Sequence, residues 1–172
     1  NSLGQVTNDK CEDATFLCNK VTLNQNNLNS TIDNDDSFGD DGDGSNISCN
    51  NNTDKSLWYY FETNNAGGNT TLKINNINCV AESLRSNELV VYIVNSPTPC
   101  NASLYKLINP CQQNKNQIEF NLTGLLPNTL YYVSVSGDKT PPSTKPAVCS
   151  FDITLEGDAT ALNKSNPIIE KY

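Results

Sequence analysis

Apolar and polar positions alternate in short runs with the two-residue period of β-strands, most clearly between residues 57 and 155. The densest aromatic run, Leu57-Trp58-Tyr59-Tyr60-Phe61-Glu62-Thr63, places Leu57, Tyr59 and Phe61 on one face and Trp58 and Tyr60 on the other. Aromatic residues suit a pleated, half-buried surface, so this stretch predicts a central strand with one face in the core. The turn-forming run Asn64-Asn65-Ala66-Gly67-Gly68-Asn69 closes it. Further strands are predicted over Val21–Leu23, Thr70–Ile77, Glu88–Val94 and Ser103–Ile108. Ile118, Phe120 and Leu122 share a face, as do Tyr131, Val133 and Val135, and then Phe151, Ile153 and Leu155. Helical periodicity is nearly absent; Ala81–Asn87 offers one turn at most. Eight or more short strands joined by Asn, Gly and Pro turns predict an all-β fold, an antiparallel β-sandwich.

At 172 residues the chain suffices for one well-buried domain. Residues 1–7 are expected as a lead-in, 8–156 as the sandwich, and 157–172, where alternation fades, as a linker or tail. No Met opens the chain and no signal peptide is visible, as expected of a piece cut from a longer precursor. Asn24–Asn52 is strongly polar and carries the acidic run Asp40-Asp41-Gly42-Asp43-Gly44, which cannot bury apolar surface. The net charge of −8, with 11 unclustered basic residues, argues against nucleic acid and anionic membrane surfaces as partners. No apolar run is long enough to insert in a membrane.

Seven widely spaced cysteines and no histidine argue against a zinc-thiolate site and for disulfides in an oxidising, extracellular setting. Cys100 and Cys111 bracket a short segment broken by turns and are expected to pair. Cys79 and Cys149 flank strands of the second half and form the next expected bridge. The remaining connectivity stays open, because six cysteines join in about 15 ways and the odd one is not marked.

Without histidine the chain lacks a Ser-His or Cys-His pair and the commonest general base, so no catalytic residue is assigned. The carboxylates lie mostly in polar loops. Asp41 and Asp43 belong to a loop rich in oxygen ligands, which suits calcium or equally stands solvated; an EF-hand is excluded because the required glycine position holds Asn46. Seven Asn-x-Ser/Thr sequons accompany a strong Asn bias and carry no case for glycosylation. Trp58 and Tyr60 form either a sugar-stacking platform or a face covered by other parts of the chain, the commoner arrangement.

Three motifs occur in a defined order. Asn8-Asp9-x-Cys11-x-x-Ala14 opens the chain, and Leu57-Trp58-Tyr59-Tyr60-Phe61 follows. Leu89-Val90-Val91-Tyr92 with Cys100, then Gly124-Leu125-x-Pro127-x-Thr129-x-Tyr131-Tyr132-Val133-x-Val135, make the third. The set resembles the jelly-roll modules repeated in large surface proteins of Bacteroidetes, including gliding-motility adhesins, which look like relatives of bacterial pre-peptidase C-terminal domains. Lys55-Ser56 stand where those modules carry an Asp before the aromatic strand. The resemblance implies a sandwich of jelly-roll type and a calcium ion held by Asn8, Asp9 and Asp54. It further implies a non-catalytic role in adhesion, with surfaces or polysaccharide and neighbouring modules of the same long chain as partners. The alternative is an accessory carbohydrate-binding or pre-peptidase-type domain of a secreted hydrolase. Contact is expected first at the loops Asp33–Asp43 and Asn64–Asn69. The turn before Tyr131 also resembles a fibronectin type III domain, but Trp58 and Tyr131 lie too far apart in sequence for so small a fold.

Overall fold

The computed structural model describes residues 7–31 and 53–161. Ten strands form there: β1 (Thr15–Phe16), β2 (Thr22–Asn26), β3 (Thr53–Glu62), β4 (Gly68–Cys79), β5 (Leu89–Asn95), β6 (Lys106–Leu107), β7 (Gln112–Asn114), β8 (Ile118–Leu125), β9 (Leu130–Asp138) and β10 (Cys149–Gly157). One sheet runs β1-β3-β9-β5-β6, with β7 also on β5; the other runs β2-β10-β4-β8. All pairings are antiparallel except β1 with β3. The two sheets pack face to face as a sandwich, and the long strands β2, β3, β4 and β5 alternate between them.

The two-residue period decides what lies between the sheets. Leu57, Tyr59 and Phe61 of β3 meet Val91 and Ile93 of β5, Val133 and Val135 of β9, and the inward residues of β4, β8 and β10. Tyr131 stacks on Phe61, ring centroids 5.3 Å apart, and its hydroxyl accepts the Leu126 N–H at 3.0 Å. That bond pins the turn entering β9 and explains the fibronectin-like motif on a differently wired sandwich. Burial holds the Tyr59 hydroxyl well above the ordinary phenol value, and a hydrogen bond from Asn8 opposes this.

Between Asp54 and Leu57 the pairing of β3 with β9 shifts register, and Lys55 sits there at φ +59°. The lysine Nζ donates to the Leu28 and Ser30 carbonyls, both at 3.0 Å, so the bulge fastens the 28–31 segment to the sheet. Gly137 of β9 meets a different constraint: a Cβ there would collide with the Ala147 carbonyl. Only glycine lets the chain entering β10 pass so close.

The structure corrects several expectations. The packed body continues past Gly157, because Ala159 is fully buried in the core. Asn64 Nδ2 also donates to the Asp158 and Ala161 carbonyls, at 2.7 and 3.1 Å. Residues 158–161 therefore belong to the domain. The strand expected over Ser103–Ile108 is a 3₁₀ turn, Ala102–Leu104, leading into the two-residue β6. Ala81–Asn87 holds the one turn expected of it, at Ser83–Leu84.

Cys100 does not pair with Cys111. It joins Cys11, 89 residues away, while Cys79 joins Cys149 across β4 and β10. Cys111 is also disulfide-bonded, and Cys18 carries an exposed free thiol. The Cys100 expectation failed because proximity in sequence was taken for proximity in space. Pro97 and Pro99 precede a turn that carries Cys100 onto the outer face of β3, where the N-terminal segment lies.

Candidate functional site

The outer face of the aromatic strand is covered in part and open in part. Trp58 is fully buried under a second apolar cluster with Tyr92, Val94, Tyr105, Tyr132 and Cys11. Its ring meets Tyr92 edge-on at 5.9 Å and Tyr105 at 6.1 Å. Trp58 Nε1 is the one fully buried side-chain nitrogen or oxygen without a hydrogen-bond partner among the described residues. Trp58 is therefore covered and unavailable as a sugar platform. Tyr60 is different: it is half-buried and lines a cleft with Tyr132, Leu130, Glu12 and Pro99.

The cleft follows from the strand register. Tyr60 of β3 stands opposite Tyr132 of β9, so both rings project from the same face. Their centroids lie 6.3 Å apart with planes inclined by 36°, and Phe16 of β1 flanks Tyr60 at 5.2 Å. The Cys11–Cys100 bridge forms one wall, holding Glu12 and Pro99, the neighbours of its two cysteines, at the rim. The open cleft has a volume of about 480 Å³.

The residues expected to hold calcium are each engaged elsewhere. Asn8 is buried, donates from Nδ2 to the Trp58 carbonyl at 3.0 Å, and accepts the Trp58 N–H on its own carbonyl at 2.8 Å. Both Asp9 oxygens accept from Thr31, from its N–H at 2.5 Å and its hydroxyl at 2.7 Å. Asp54 accepts the Lys55 N–H at 2.7 Å, and the Lys139 ammonium stands 3.9 Å from its other oxygen. A buried carboxylate needs such donors, and Asp9 has them without a metal. Among the described residues no three carboxylates, cysteines or histidines gather as a metal cluster. Asn8, Asp9 and Asp54 are thus each held by protein partners. Asp41, Asp43 and the loop Asp33–Asp43 lie outside the described residues. The Asn64–Asn69 loop is stitched internally, Asn64 Oδ1 accepting the Ala66 and Gly67 N–H groups.

A second cleft, of about 810 Å³, opens at one end of the sandwich between Val80–Glu88 and Asp138–Ser143. Its floor is the buried carboxylate of Asp138, which accepts from Ser86 Oγ at 2.6 Å and from Thr140 Oγ1 at 2.5 Å. Its rim groups are paired with one another: Glu82 with Arg85 and Lys145, and Gln113 with Glu88. The hydrogen bonds from Lys145 and then Arg85 hold the exposed Glu82 carboxyl below the usual glutamate range. A cleft whose polar groups already satisfy one another has little left to offer a ligand.

Sequence reasoning missed Tyr132, Glu12 and Asp138. The Tyr131-Tyr132 pair signals an aromatic on each face of β9, and Asp138-Lys139-Thr140 signals a side-chain-capped turn. Glu12 carries no sequence signal, because its position depends on a bridge to Cys100. The chain matches no known family model, and no curated protein is detectably similar to it.

Proposed function

We propose that this chain is a non-catalytic module of a secreted cell-surface adhesin, a jelly roll presented on the cell exterior to surfaces or polysaccharide. The observation that carries this reading is the covalent bracing of the sandwich. Cys11–Cys100 fastens the N-terminal segment over the outer face, and Cys79–Cys149 joins two strands of the opposite sheet. Bridges of this kind persist in an oxidising exterior. The jelly-roll assignment is supported by the order β2-β10-β4-β8 facing β3-β9-β5-β6, in which successive strands wrap from one sheet to the other. The ordered motifs around Cys11, Trp58 and Tyr131 support the adhesin class, and the absence of histidine supports a binding role over a catalytic one.

The test is adhesion by the pure chain. Beads coated with it should hold to glass or to polysaccharide films under flow better than beads coated with its unfolded, reduced form. Equal retention of the two would overturn the adhesive role. Hydrolysis of a peptide or glycan by the pure chain, abolished by one carboxylate substitution, would overturn the non-catalytic one.

A further inference from the structure

Tyr132 is only 6% exposed, yet its hydroxyl has no hydrogen-bond partner among the described residues. It is also not among the fully buried unpaired atoms, where Trp58 Nε1 stands alone. The hydroxyl is therefore not sealed from water, and Tyr132 is one of the residues lining the cleft. A phenol held with its ring buried and its hydroxyl open to water offers a ligand one positioned donor and acceptor. Burial, and secondarily the neighbouring Tyr60 hydroxyl, raise the Tyr132 hydroxyl above its ordinary value, so it remains a donor at neutral pH.

The shape narrows the ligand. Tyr60 and Tyr132, side by side at 36°, make the aromatic floor of the cleft. A cage for a quaternary ammonium group needs rings that face one another across the cation. A floor suits a flat, partly apolar ligand lying on it. The rim supplies one carboxylate, Glu12, and the lining holds no Lys or Arg. With a net charge of −8, sulfated or uronic glycans are repelled. A volume of about 480 Å³ falls in the range of small-molecule sites.

We propose that the Tyr60–Tyr132 cleft binds one neutral pyranose residue of a polysaccharide. Its C–H face lies over the half-buried Tyr60 ring, and its hydroxyl groups bond to the Glu12 carboxylate and the Tyr132 hydroxyl. This deepens the adhesion reading by naming a ligand class and a site, and it rests on that reading only for the source of the sugar.

Titration of the full chain with cellotriose, maltotriose, mannotriose and galactotriose, followed by NMR shifts of the tyrosine rings, tests it. At least one neutral trisaccharide should bind, while a trigalacturonate and choline should not. Tyr60→Ala should weaken binding about tenfold, the scale of a lost aromatic stacking contact. Tyr132→Phe, which keeps the ring and removes only the hydroxyl, should weaken it about threefold to tenfold. Lys73→Ala, on the opposite sheet, should change nothing. If Tyr60→Ala melts early, the double variant Tyr60→Phe with Glu12→Gln decides in its place, since both changes preserve volume. Binding unchanged in Tyr132→Phe and in the double variant overturns the site, as does a response to choline alone or to none of the sugars. Bead adhesion that survives loss of the cleft removes this site and leaves the adhesive role standing. A cleft that titrates on a chain that does not adhere does the reverse.

Discussion

Removing the Cys11–Cys100 bridge should destabilise the fold mainly through the unfolded chain. The bridge spans 89 residues, and Cys79–Cys149 spans 70. Closing loops of those sizes lowers the entropy of the unfolded chain by about 4.6 and 4.4 kcal/mol respectively, in the chain-entropy treatment. For a protein of this length, 1 kcal/mol corresponds to about 2–4 °C in Tm, so Cys11→Ala with Cys100→Ala should melt roughly 9–18 °C lower. The experiment is urea unfolding in a Cys18→Ser background, which prevents exchange with the free thiol. Circular dichroism should follow the sheets, and the fluorescence of Trp58, the one tryptophan, should follow the cluster beside Cys11. An unfolded chain freed of a long loop exposes more surface, so m should rise as the midpoint falls. A midpoint within about 1 kcal/mol of the parent would refute the loop-entropy reasoning. A large loss with unchanged m would move the effect into the folded state, to the contacts around Trp58.

Three further outcomes follow from single contacts. Gly137→Ala should cost about 1–3 kcal/mol, because its Cβ meets the Ala147 backbone carbonyl; an unchanged urea midpoint would show that the β10 approach yields freely. Asp9→Ala leaves the Thr31 N–H and hydroxyl without their acceptor and should cost about 1–3 kcal/mol. Tm should meanwhile be the same in chelator and in Ca²⁺, and a rise on adding Ca²⁺ would restore the metal to this corner. Glu82, held below the usual glutamate range by Lys145 and Arg85, adds stability above the unfolded-state value and loses it as pH falls through the folded one. Glu82→Gln should therefore flatten the acid limb slightly at low salt, the effect shrinking as salt screens exposed charges; identical acid limbs would refute it.

The sandwich was legible because its strands declare themselves locally. Leu57, Tyr59 and Phe61 point inward by period alone, and each cluster of Asn, Gly or Pro marks a reversal. What sequence did not give was whatever depends on partners brought from afar. Trp58 and Tyr60 look equivalent in the sequence, yet Tyr92 and Tyr105 pack on Trp58 while Tyr60 stays half-open. Tyr132 joins Tyr60 only through the register of β3 on β9, which the bulge at Lys55 helps to set. β7 was invisible because Gln112–Asn114 is too short and too polar to show alternation, and β6 is only the last part of the strand expected over Ser103–Ile108. Asp9 reads as a free ligand in the sequence, whereas in the fold Thr31 donates to both of its oxygens.

The two bridges overlap in sequence, and this sets how far the chain can stretch. Tension drawn between residues before Cys11 and beyond Cys149 has a covalent shortcut, across to Cys100, back along the backbone to Cys79, and across again to Cys149. The load-carrying path between the outer cysteines then holds about 20 residues instead of about 140, a contour of roughly 70 Å in place of roughly 480 Å. An oxidised molecule pulled from both ends behaves as a short tether that reaches its limit early and passes force onward. Reduction would turn the same sequence into a long, yielding one. Extensibility in this protein is thus governed by redox state, separately from whether the sandwich itself is folded.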